Sequence, residues 1–459
     1  MKRLGIGVFL ALILGLAWAM PAKAVPSFAE QTGLPCSECH VGAFGPQLKP
    51  FGRQFKLNGY TLDDGRDHLP PLSAMLQTSF THNDSGGKPG GTATGVGNSA
   101  CAACHPGAFG GGGIARDNVA ADDVSLFLAG KLTDHIGTFA VASLNGVSNS
   151  IHWDNVDLRY ANDTAFFGKD LVYGVTLNNN PSVQDLWNSS PVWSFPFAQS
   201  LFAPAPGAST LIDGLLAQTV YGGGVYVQWN DLIYLEADGY RDIGTDARRN
   251  LGLEPATGQN MVSGWAPYWR LALEHNEGPH DFELGTYGIQ ANLIPTAVST
   301  FGTDKYTDIA FDASYQYIPS DEFNFGAYAT WIKERSKLSA SQFLVGANHS
   351  DQLRTWRANV SGSFEDTYTL NARYFRTMGS TDLVMIGTPT GNPNSAGWLV
   401  EADWAPNGKA NGVSWLPDWL NFKLSLQHVL YTRFDGTDVG ASGNDSTFFL
   451  AWFAVPLNN

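Results

Sequence analysis

Apolar and polar residues alternate over many segments of about ten residues, and the pattern recurs from Ser73 to the C-terminus. Residues 420–433 show it well, because every second residue there is apolar and the residues between are mostly polar. One face comprises Leu420, Phe422, Leu424, Leu426, His428 and Leu430, of which all but His428 are apolar. A period of two residues is that of a β-strand whose two faces meet different surroundings. The sequence therefore predicts an all-β fold over residues 73–459.

Two architectures produce such strands: a soluble β-sandwich and a transmembrane β-barrel. Segments of about ten residues are long enough to cross a bilayer at a tilt. Tyr and Trp cluster near segment ends, as in the aromatic girdles of membrane barrels. Short and long connections also alternate along the chain. We therefore predict an antiparallel transmembrane β-barrel. Counting its segments along the chain gives about sixteen strands, an even number as in other bacterial single-chain barrels.

Connection lengths indicate which side of the membrane each loop faces. The first predicted strand is residues 73–82, and the first long loop is 83–122. Another long loop, 179–217, is rich in Pro and Trp, and either folds into the lumen or caps it from outside. An even strand count puts both barrel ends and the short turns on the periplasmic side. The segment 25–72 is then periplasmic or a plug in the lumen, and loop 83–122 belongs to the outer side.

The N-terminus has the pattern of a cleaved secretory leader. Lys2 and Arg3 precede an apolar run, and Ala22-Lys23-Ala24 is a small-x-small cleavage sequence. The run is shorter than the roughly 20 residues of a spanning helix, so we expect a signal peptide, 1–24, and export to the outer membrane. The net charge of −15 becomes −18 when the three basic leader residues are lost. This charge excludes nucleic acid as a partner and suits cationic ones.

Two Cys-x-x-Cys-His motifs contain all four cysteines of the chain. Their residues are Cys36, Cys39 and His40 in the first and Cys101, Cys104 and His105 in the second. Two disulfides or a zinc site are the alternative interpretations. The identical spacing with His directly after each pair favours covalent haem, because the two thiols can join one haem while the imidazole binds its iron. We predict two covalently bound haem c groups, with His40 and His105 as proximal iron ligands.

Distal iron ligands must come from other Met and His residues. Met75 is the first candidate, since it shares the polar, lumen-facing side of its strand with Ser73 and Gln77. His82 and His68 follow, whereas His152 is in phase with lipid-facing residues and is a poor candidate. Basic lumenal residues would pair either with haem propionates or with lumenal acids such as Asp157 and Glu236. They are Arg159, Arg357, Arg373 and Lys423.

The first motif lies in a stretch with a wider resemblance. The sequences TGLPCSECH (32–40) and PFGRQFKLNGY (50–60) resemble the start of the outer-membrane cytochrome–porin fusions of iron-oxidising bacteria. The resemblance is closest over 28–60. It implies a short N-terminal cytochrome segment joined to a sixteen-stranded porin that passes electrons from extracellular ferrous iron to periplasmic cytochromes. Cys36, Cys39 and His40 match that family's haem motif. The family has one haem site, so the second motif here leaves the iron substrate open.

Two functions of different classes fit these features. The first is electron transfer across the outer membrane by a dihaem cytochrome–porin, between an extracellular donor or acceptor, such as ferrous iron, and periplasmic c-type cytochromes. Its activity would be that of an iron(II):cytochrome c oxidoreductase, with one haem near each mouth. The second is a solute-diffusion porin in which haem is structural or sensory. A soluble periplasmic dihaem enzyme is disfavoured, because the alternating strands indicate contact with outer-membrane lipid.

Overall fold

The structure is a computed structural model of the whole chain. It describes residues 27–65, 72–85, 115–187, 189–244, 246–247, 260–297, 299–320, 322–386, 388, 390–406, 416 and 420–457. Three predicted features lie outside these residues: the leader 1–24, His68 and the second haem motif with Cys101, Cys104 and His105.

Sixteen long antiparallel strands form one closed barrel in the described part of the chain. They are β1 (Leu72–Asn83), β2 (Asp117–Thr133), β3 (Ile136–Asn145), β4 (Ser150–Phe166), β5 (Lys169–Asn178), β6 (Val220–Trp229), β7 (Ile233–Asp242), β8 (Ala266–Glu277), β9 (His280–Ile294), β10 (Asp304–Tyr317), β11 (Phe323–Lys337), β12 (Ser350–Phe364), β13 (Tyr368–Gly379), β14 (Ser395–Trp404), β15 (Asn421–Arg433) and β16 (Ser446–Pro456). Each strand pairs with the next, and β16 pairs back with β1. A two-residue strand, Met261–Val262, adds to the end of β9. The predicted all-β barrel of sixteen strands is confirmed.

The barrel exposes apolar side chains and buries polar ones. On β15, Leu426 is 52% exposed, whereas its neighbour Gln427 is 2% exposed and faces the lumen. A soluble protein has the opposite arrangement, so the solvent around this barrel is lipid. The chain is therefore a membrane-spanning, porin-like barrel of the outer-membrane type. No helix among the described residues has the length and apolar character to cross a membrane.

The first long loop is shorter than predicted. Residues 117–122 were expected in loop 83–122, but they belong to β2, where Asp117 pairs with His82 of β1. Backbone hydrogen bonds between strands do not depend on side-chain polarity, so Asp117 and Asp122 do not prevent residues 117–122 from joining the strand. Asp122 is an extra residue in β2, because Gln77 pairs with Asp123 and Thr78 with Ala121. Such a bulge reverses the strand's face pattern, which is why the alternation hid the start of β2.

The two ends of the barrel differ in their connections. Six connections of two to five residues lie at the end we call the short-turn mouth: 134–135, 167–168, 230–232, 278–279, 318–322 and 365–367. The strand ends that flank the longer connections after β1, β5, β7, β11 and β13 lie at the opposite end, the long-loop mouth. In outer-membrane barrels the short turns face the periplasm and the long loops face outward.

The N-terminal segment, residues 27–65, is a plug inside the lumen at the short-turn mouth. Its helices are α1 (Ser27–Thr32), α2 (Cys36–Cys39) and α3 (Pro50–Leu57). From the plug, Lys49 Nζ bonds Asp366 Oδ2 at 2.8 Å, in a short turn. Arg53 is paired with Asp281 and, at 3.1 Å, with Glu274. The prediction left two places open for this segment, and the structure shows the plug.

Loop 179–219 also folds into the lumen, so of the two predicted arrangements the inward one is correct. Thr330 Oγ1 on the opposite wall donates to the Ser189 carbonyl at 2.8 Å. Arg270 of β8 reaches Asp312 Oδ2 at 2.6 Å and loop residue Asp185 at 3.5 Å. The plug bonds the same loop, because Lys56 Nζ donates to the Val183 carbonyl at 2.7 Å. Two inserts therefore share the lumen and support each other.

Replacing Arg270 should release loop 179–219 from the wall. Arg270→Met leaves Asp185 and Asp312 buried without their cation, which costs about 3–5 kcal/mol when one partner of a buried pair is removed. We expect the loop to become susceptible to protease added to the folded, detergent-solubilised protein, while wild type resists. Arg241→Met, at an exposed arginine of β7, is the matched control. Equal protection in both variants would contradict this role.

Candidate functional site

The first Cys-x-x-Cys-His motif forms a single helical turn followed by an extended histidine. Pro35 stands before α2 with extended backbone and starts the turn. Cys36 and Cys39, three positions apart, therefore lie on one side of α2. His40 ends the turn, since its N–H donates to the Cys36 carbonyl at 2.8 Å. His40 also forms a β-bridge with Leu48, so the chain folds back and α3 packs on the motif.

Two glycines permit this close packing. A Cβ at Gly52 of α3 would stand 2.5 Å from the Cys39 carbonyl oxygen. Gly42 has a positive φ of 70°, and a Cβ there would meet Thr369 Oγ1 of the barrel wall at 2.5 Å. Its N–H donates to Asp366 Oδ1 at 3.1 Å. The motif is thus held in position by both the plug and the wall.

Both thiols and the imidazole line a cavity of about 500 Å³ inside the barrel. Its lining is largely apolar and includes the aromatic residues Phe44, Phe127, Phe139, Trp193, Phe197 and Trp452. Neither Cys36 nor Cys39 is in a disulfide, and both are half-buried. Cavities of this volume are in the range of small-molecule and cofactor sites.

The protonation states of the motif follow from burial. Burial raises the pKa of the Cys36 thiol to about 11 and that of Cys39 to about 12, so both are thiols at neutral pH. Burial lowers the pKa of His40 to about 4, which keeps the imidazole neutral and able to bind a metal. His40 Nδ1 is buried without a hydrogen-bond partner in the described residues. Two free thiols, a neutral imidazole and an aromatic cavity together fit a covalently bound haem.

Met75 lines the same cavity as His40. Asn421 of β15 donates to Cys36 Sγ at 3.5 Å. Asn421 pairs with Ala454 and Ala454 pairs with Met75, so the three lie on one row across β15, β16 and β1. Neighbouring strands are about 4.8 Å apart, which puts the Met75 backbone roughly 10 Å from Asn421. The structure thus brings Met75 to the cavity of the first motif.

The expectation that His152 faces lipid is wrong. A bulge in β4 places Asp154 and Asn155 between the pairs Ala142–Trp153 and Ala140–Val156. The bulge reverses the phase of the strand, so His152 pairs with the lumenal Ser143 and lines the cavity of the first motif. Alternation alone could not reveal this, because an unpaired residue has no signature in the sequence.

His82 lies far from the first motif. It is seven residues beyond Met75 on β1, which is about 23 Å along a strand, at the long-loop mouth. Its Nδ1 is 2.6 Å from Asp117 Oδ1, and both side chains are solvent-accessible. The loop with the second motif starts there, and a role for His82 toward that motif stays a prediction.

The four basic residues expected in the lumen differ in their partners. Arg159 is fully buried with Asp157, at 2.7 Å between Nε and Oδ2. Arg357 pairs with Asp213 of loop 179–219, so both arginines take the alternative role of pairing with acids. Arg373 Nη2 lies 3.5 Å from Ser194 Oγ, and Lys423 Nζ lies 3.3 Å from Asp403 Oδ1. Lys423 also lies 5.3 Å from the centre of the cavity-lining Trp452 ring.

The cavity extends from the motif toward the long-loop mouth. Its lining includes Asn145 and Ser150, which flank the turn between β3 and β4 at that mouth. Asp123, which pairs in register with Asn145, and its neighbour Asp122 also line the cavity. No group of three or more His, Cys, Asp or Glu in the described ranges is arranged to hold a metal ion.

Met75→Leu tests the predicted distal ligand of the haem that is expected at the first motif, and it should leave the barrel intact. Methionine as the partner of a histidine ligand raises a haem potential, so we expect Met75→Leu to lower the potential of the first haem. His152→Leu is the matched control in the same cavity. Both changes are made in a Cys101→Ala/Cys104→Ala chain, and the potential is read by spectroelectrochemical titration. A shift in the His152 variant alone would assign the distal role to His152 instead.

Comparison with known proteins finds similarity at the level of the barrel. No protein-family model and no curated protein matches the sequence. Solved structures with similarity include a loop-deletion mutant of the outer-membrane protein OmpT of Vibrio cholerae, at 10% identity and TM-score 0.42 over 84% of this chain and 98% of that one. The outer-membrane channel DcaP of Acinetobacter baumannii has 12% identity and TM-score 0.45 over 83% and 96%. An anion-selective porin of Comamonas acidovorans has 11% identity and TM-score 0.43 over 84% and 98%. At these values the similarity concerns the barrel alone.

Proposed function

We propose that this protein is a dihaem c-type cytochrome built into a porin-like outer-membrane barrel. It carries electrons between an extracellular donor, for which ferrous iron is the candidate, and periplasmic cytochromes. The observation that carries the proposal is the position of the first Cys-x-x-Cys-His motif. It lies inside the lumen, at the short-turn mouth, with its thiols and imidazole on a cavity that continues toward the other mouth.

The chain's own residues would hold the first haem and restrict access to it. Cys36 and Cys39 would attach the first haem and His40 would bind its iron. Met75 lies on the same cavity and is the candidate second iron ligand. A bound haem supplies a reversible one-electron couple whose potential depends on axial ligands and burial. The plug and loop 179–219 lie in the lumen and narrow the route that ions could take.

The second motif supports a path with two stations. The loop that contains Cys101, Cys104 and His105 leaves β1 and enters β2 at the long-loop mouth, where Asn83 N–H donates to the Arg116 carbonyl at 2.8 Å. Electron tunnelling falls steeply with distance, so a single haem at one mouth would leave the bilayer thickness largely unbridged. Cys101, Cys104 and His105 would hold a second haem toward the outer mouth. The proposal therefore requires two covalent haems per chain.

A solute-diffusion porin is the second candidate, and the barrel fold itself favours it. The lumen is lined by buried acids and bases, as in aqueous pores. The two inserts oppose it, because buried arginines tie them to the wall. Arg53 of the plug is paired with Asp281, and Arg270 of the wall is paired with Asp185 of the loop. Arg159 of the wall donates to the carbonyls of Lys56 in the plug and Gln184 in the loop. A pore filled in this way is narrow.

Two measurements on the purified full chain separate the candidates. Haem content per chain should be two, falling to one in Cys36→Ser/Cys39→Ser and in Cys101→Ser/Cys104→Ser. Liposome swelling with sugars should be slow for the wild type. Rapid swelling together with a chain that carries no haem would overturn the electron-transfer proposal in favour of the porin.

A further inference from the structure

A patch of basic side chains lies on the outside of the barrel, on the long-loop half of strands β10–β13. This exterior basic patch comprises Lys305, Lys333, Arg335, Lys337, Arg354 and Arg376. They alternate with lumenal residues, which include Asp304 and Glu334, and share the strand face of exposed Phe311 and Trp356. Six cations on one exterior face are unexpected in a chain whose net charge is −15.

The patch has like charges directly opposite each other. Lys333 pairs in register with Arg354, and Lys305 pairs with Lys337. Side chains at such positions have Cβ atoms roughly 5 Å apart, and like charges there destabilise a sheet. None of the six side chains has a hydrogen bond or an ion pair within the described residues. Glu334, next to Lys333, is buried toward the lumen and cannot neutralise them. The described residues of the chain therefore do not neutralise these exterior cations.

The height of the patch identifies the region of the membrane that faces it. Lys333 lies ten residues above Phe323 at the short-turn end, which corresponds to roughly 23 Å of height for a strand tilted by about 45°. The apolar band of such barrels is about 25 Å tall. Trp331 and Trp356 lie below the patch with ring centres 6.0 Å apart, as in an interfacial aromatic girdle. The cations are thus at the level of the outer-leaflet head groups.

We propose that the exterior basic patch binds the phosphate groups of an outer-leaflet glycolipid. Phosphate is the anion available at that depth, and guanidinium groups such as that of Arg354 bind it bidentately. Each Lys or Arg near an anionic membrane surface contributes about 1 kcal/mol. If a second copy of the chain bound through the same surface, the cations of the two patches would face and repel each other. Self-association through this surface is therefore unfavourable. The ligand is a lipid head group, and its binding is independent of electron transfer.

The test uses the full-length haem-loaded protein in detergent, with lipid A as the probe and native mass spectrometry as the readout. Lys333→Gln/Arg354→Gln should weaken lipid A binding about 30-fold, as expected for two cations near a charged head group. Lys333→Arg/Arg354→Lys keeps the charge and should retain most of the affinity. Arg241→Gln is the matched control, since that exterior arginine lies over the Trp265 ring, away from the patch. Wild type should also bind dephosphorylated lipid A weakly.

Two results would overturn the proposal. One is the absence of a difference in affinity. This would be seen either between the wild type and the glutamine double variant for lipid A, or between phosphorylated and dephosphorylated lipid for the wild type. The other is a change of oligomeric state in the double variant with lipid affinity unchanged, which would assign the patch to a protein contact. Neither result depends on haem content or electron transfer, so the outcome is distinct from that of the proposed function.

Discussion

Replacing either proximal histidine should stop electron transfer across a membrane. In vesicles that contain the oriented protein, His40→Ala and His105→Ala should each reduce transfer from an external donor to a trapped cytochrome by at least 100-fold. In the proposed path each histidine serves one of two haems in series, so the gap that remains after either loss is too long for tunnelling. The measurement is the absorbance change of the trapped cytochrome after the donor is added outside.

The control for this pair is His349→Ala, at an exposed histidine of the long-loop mouth whose Nδ1 lies 3.1 Å from Gln342 Oε1, and its loss should leave transfer within a few-fold of wild type. His82→Ala is a separate test, because His82 is exposed at that mouth, paired with Asp117, and is the candidate ligand for the second haem. A drop confined to transfer, with His40 and both haems intact, would then identify it as a ligand there. A normal rate in His105→Ala would instead show that the second motif is not on the path.

Replacing Arg53 should open the lumen. Arg53 of the plug is paired with Asp281 and Glu274, bonds Gln316 Oε1 at 2.7 Å, and is 4% exposed. Arg53→Met leaves two carboxylates buried without a cation, a cost of about 3–5 kcal/mol, which should displace the plug from the short-turn mouth. We expect the single-channel conductance in planar bilayers to rise several-fold over wild type.

The matched control is Arg53→Lys, which keeps the charge but loses the planar fork that reaches two carboxylates. Its conductance should lie between those of wild type and Arg53→Met. If Arg53→Met conducts like wild type while the thermal stability of the barrel falls, Arg53 stabilises the wall and does not hold the plug. Equal conductance and equal stability in all three chains would contradict its role in both.

Much of the barrel could be predicted from local pattern, because every strand must alternate when one face meets lipid and the other a polar lumen. The all-β class, the count of sixteen strands and the short and long ends all follow from that constraint. The errors lie where a strand breaks the period. The bulge at Asp122 hid the start of β2, and the one at Asp154 and Asn155 reversed the face of His152.

The site could be predicted only in part. The spacing of Cys36, Cys39 and His40 indicates haem chemistry directly, but their position in the lumen depends on pairs that are distant in sequence. Arg53 and Asp281 are 228 residues apart, and Lys49 and Asp366 are 317 apart. Neither motif spacing nor alternation encodes such partners. Met75 was predictable as lumenal, whereas its place on the cavity of the first motif required the register of β15, β16 and β1.

The most direct test of the central claim is electron transfer through the wild-type protein in sealed vesicles, with sugar permeability measured on the same preparation. The protein is inserted with its long loops outward, ferrous iron is added outside, and oxidised cytochrome c is trapped inside. The account predicts reduction of the trapped cytochrome far above that of empty vesicles, with sugar entry remaining slow. Fast sugar entry with no reduction of the trapped cytochrome would contradict it.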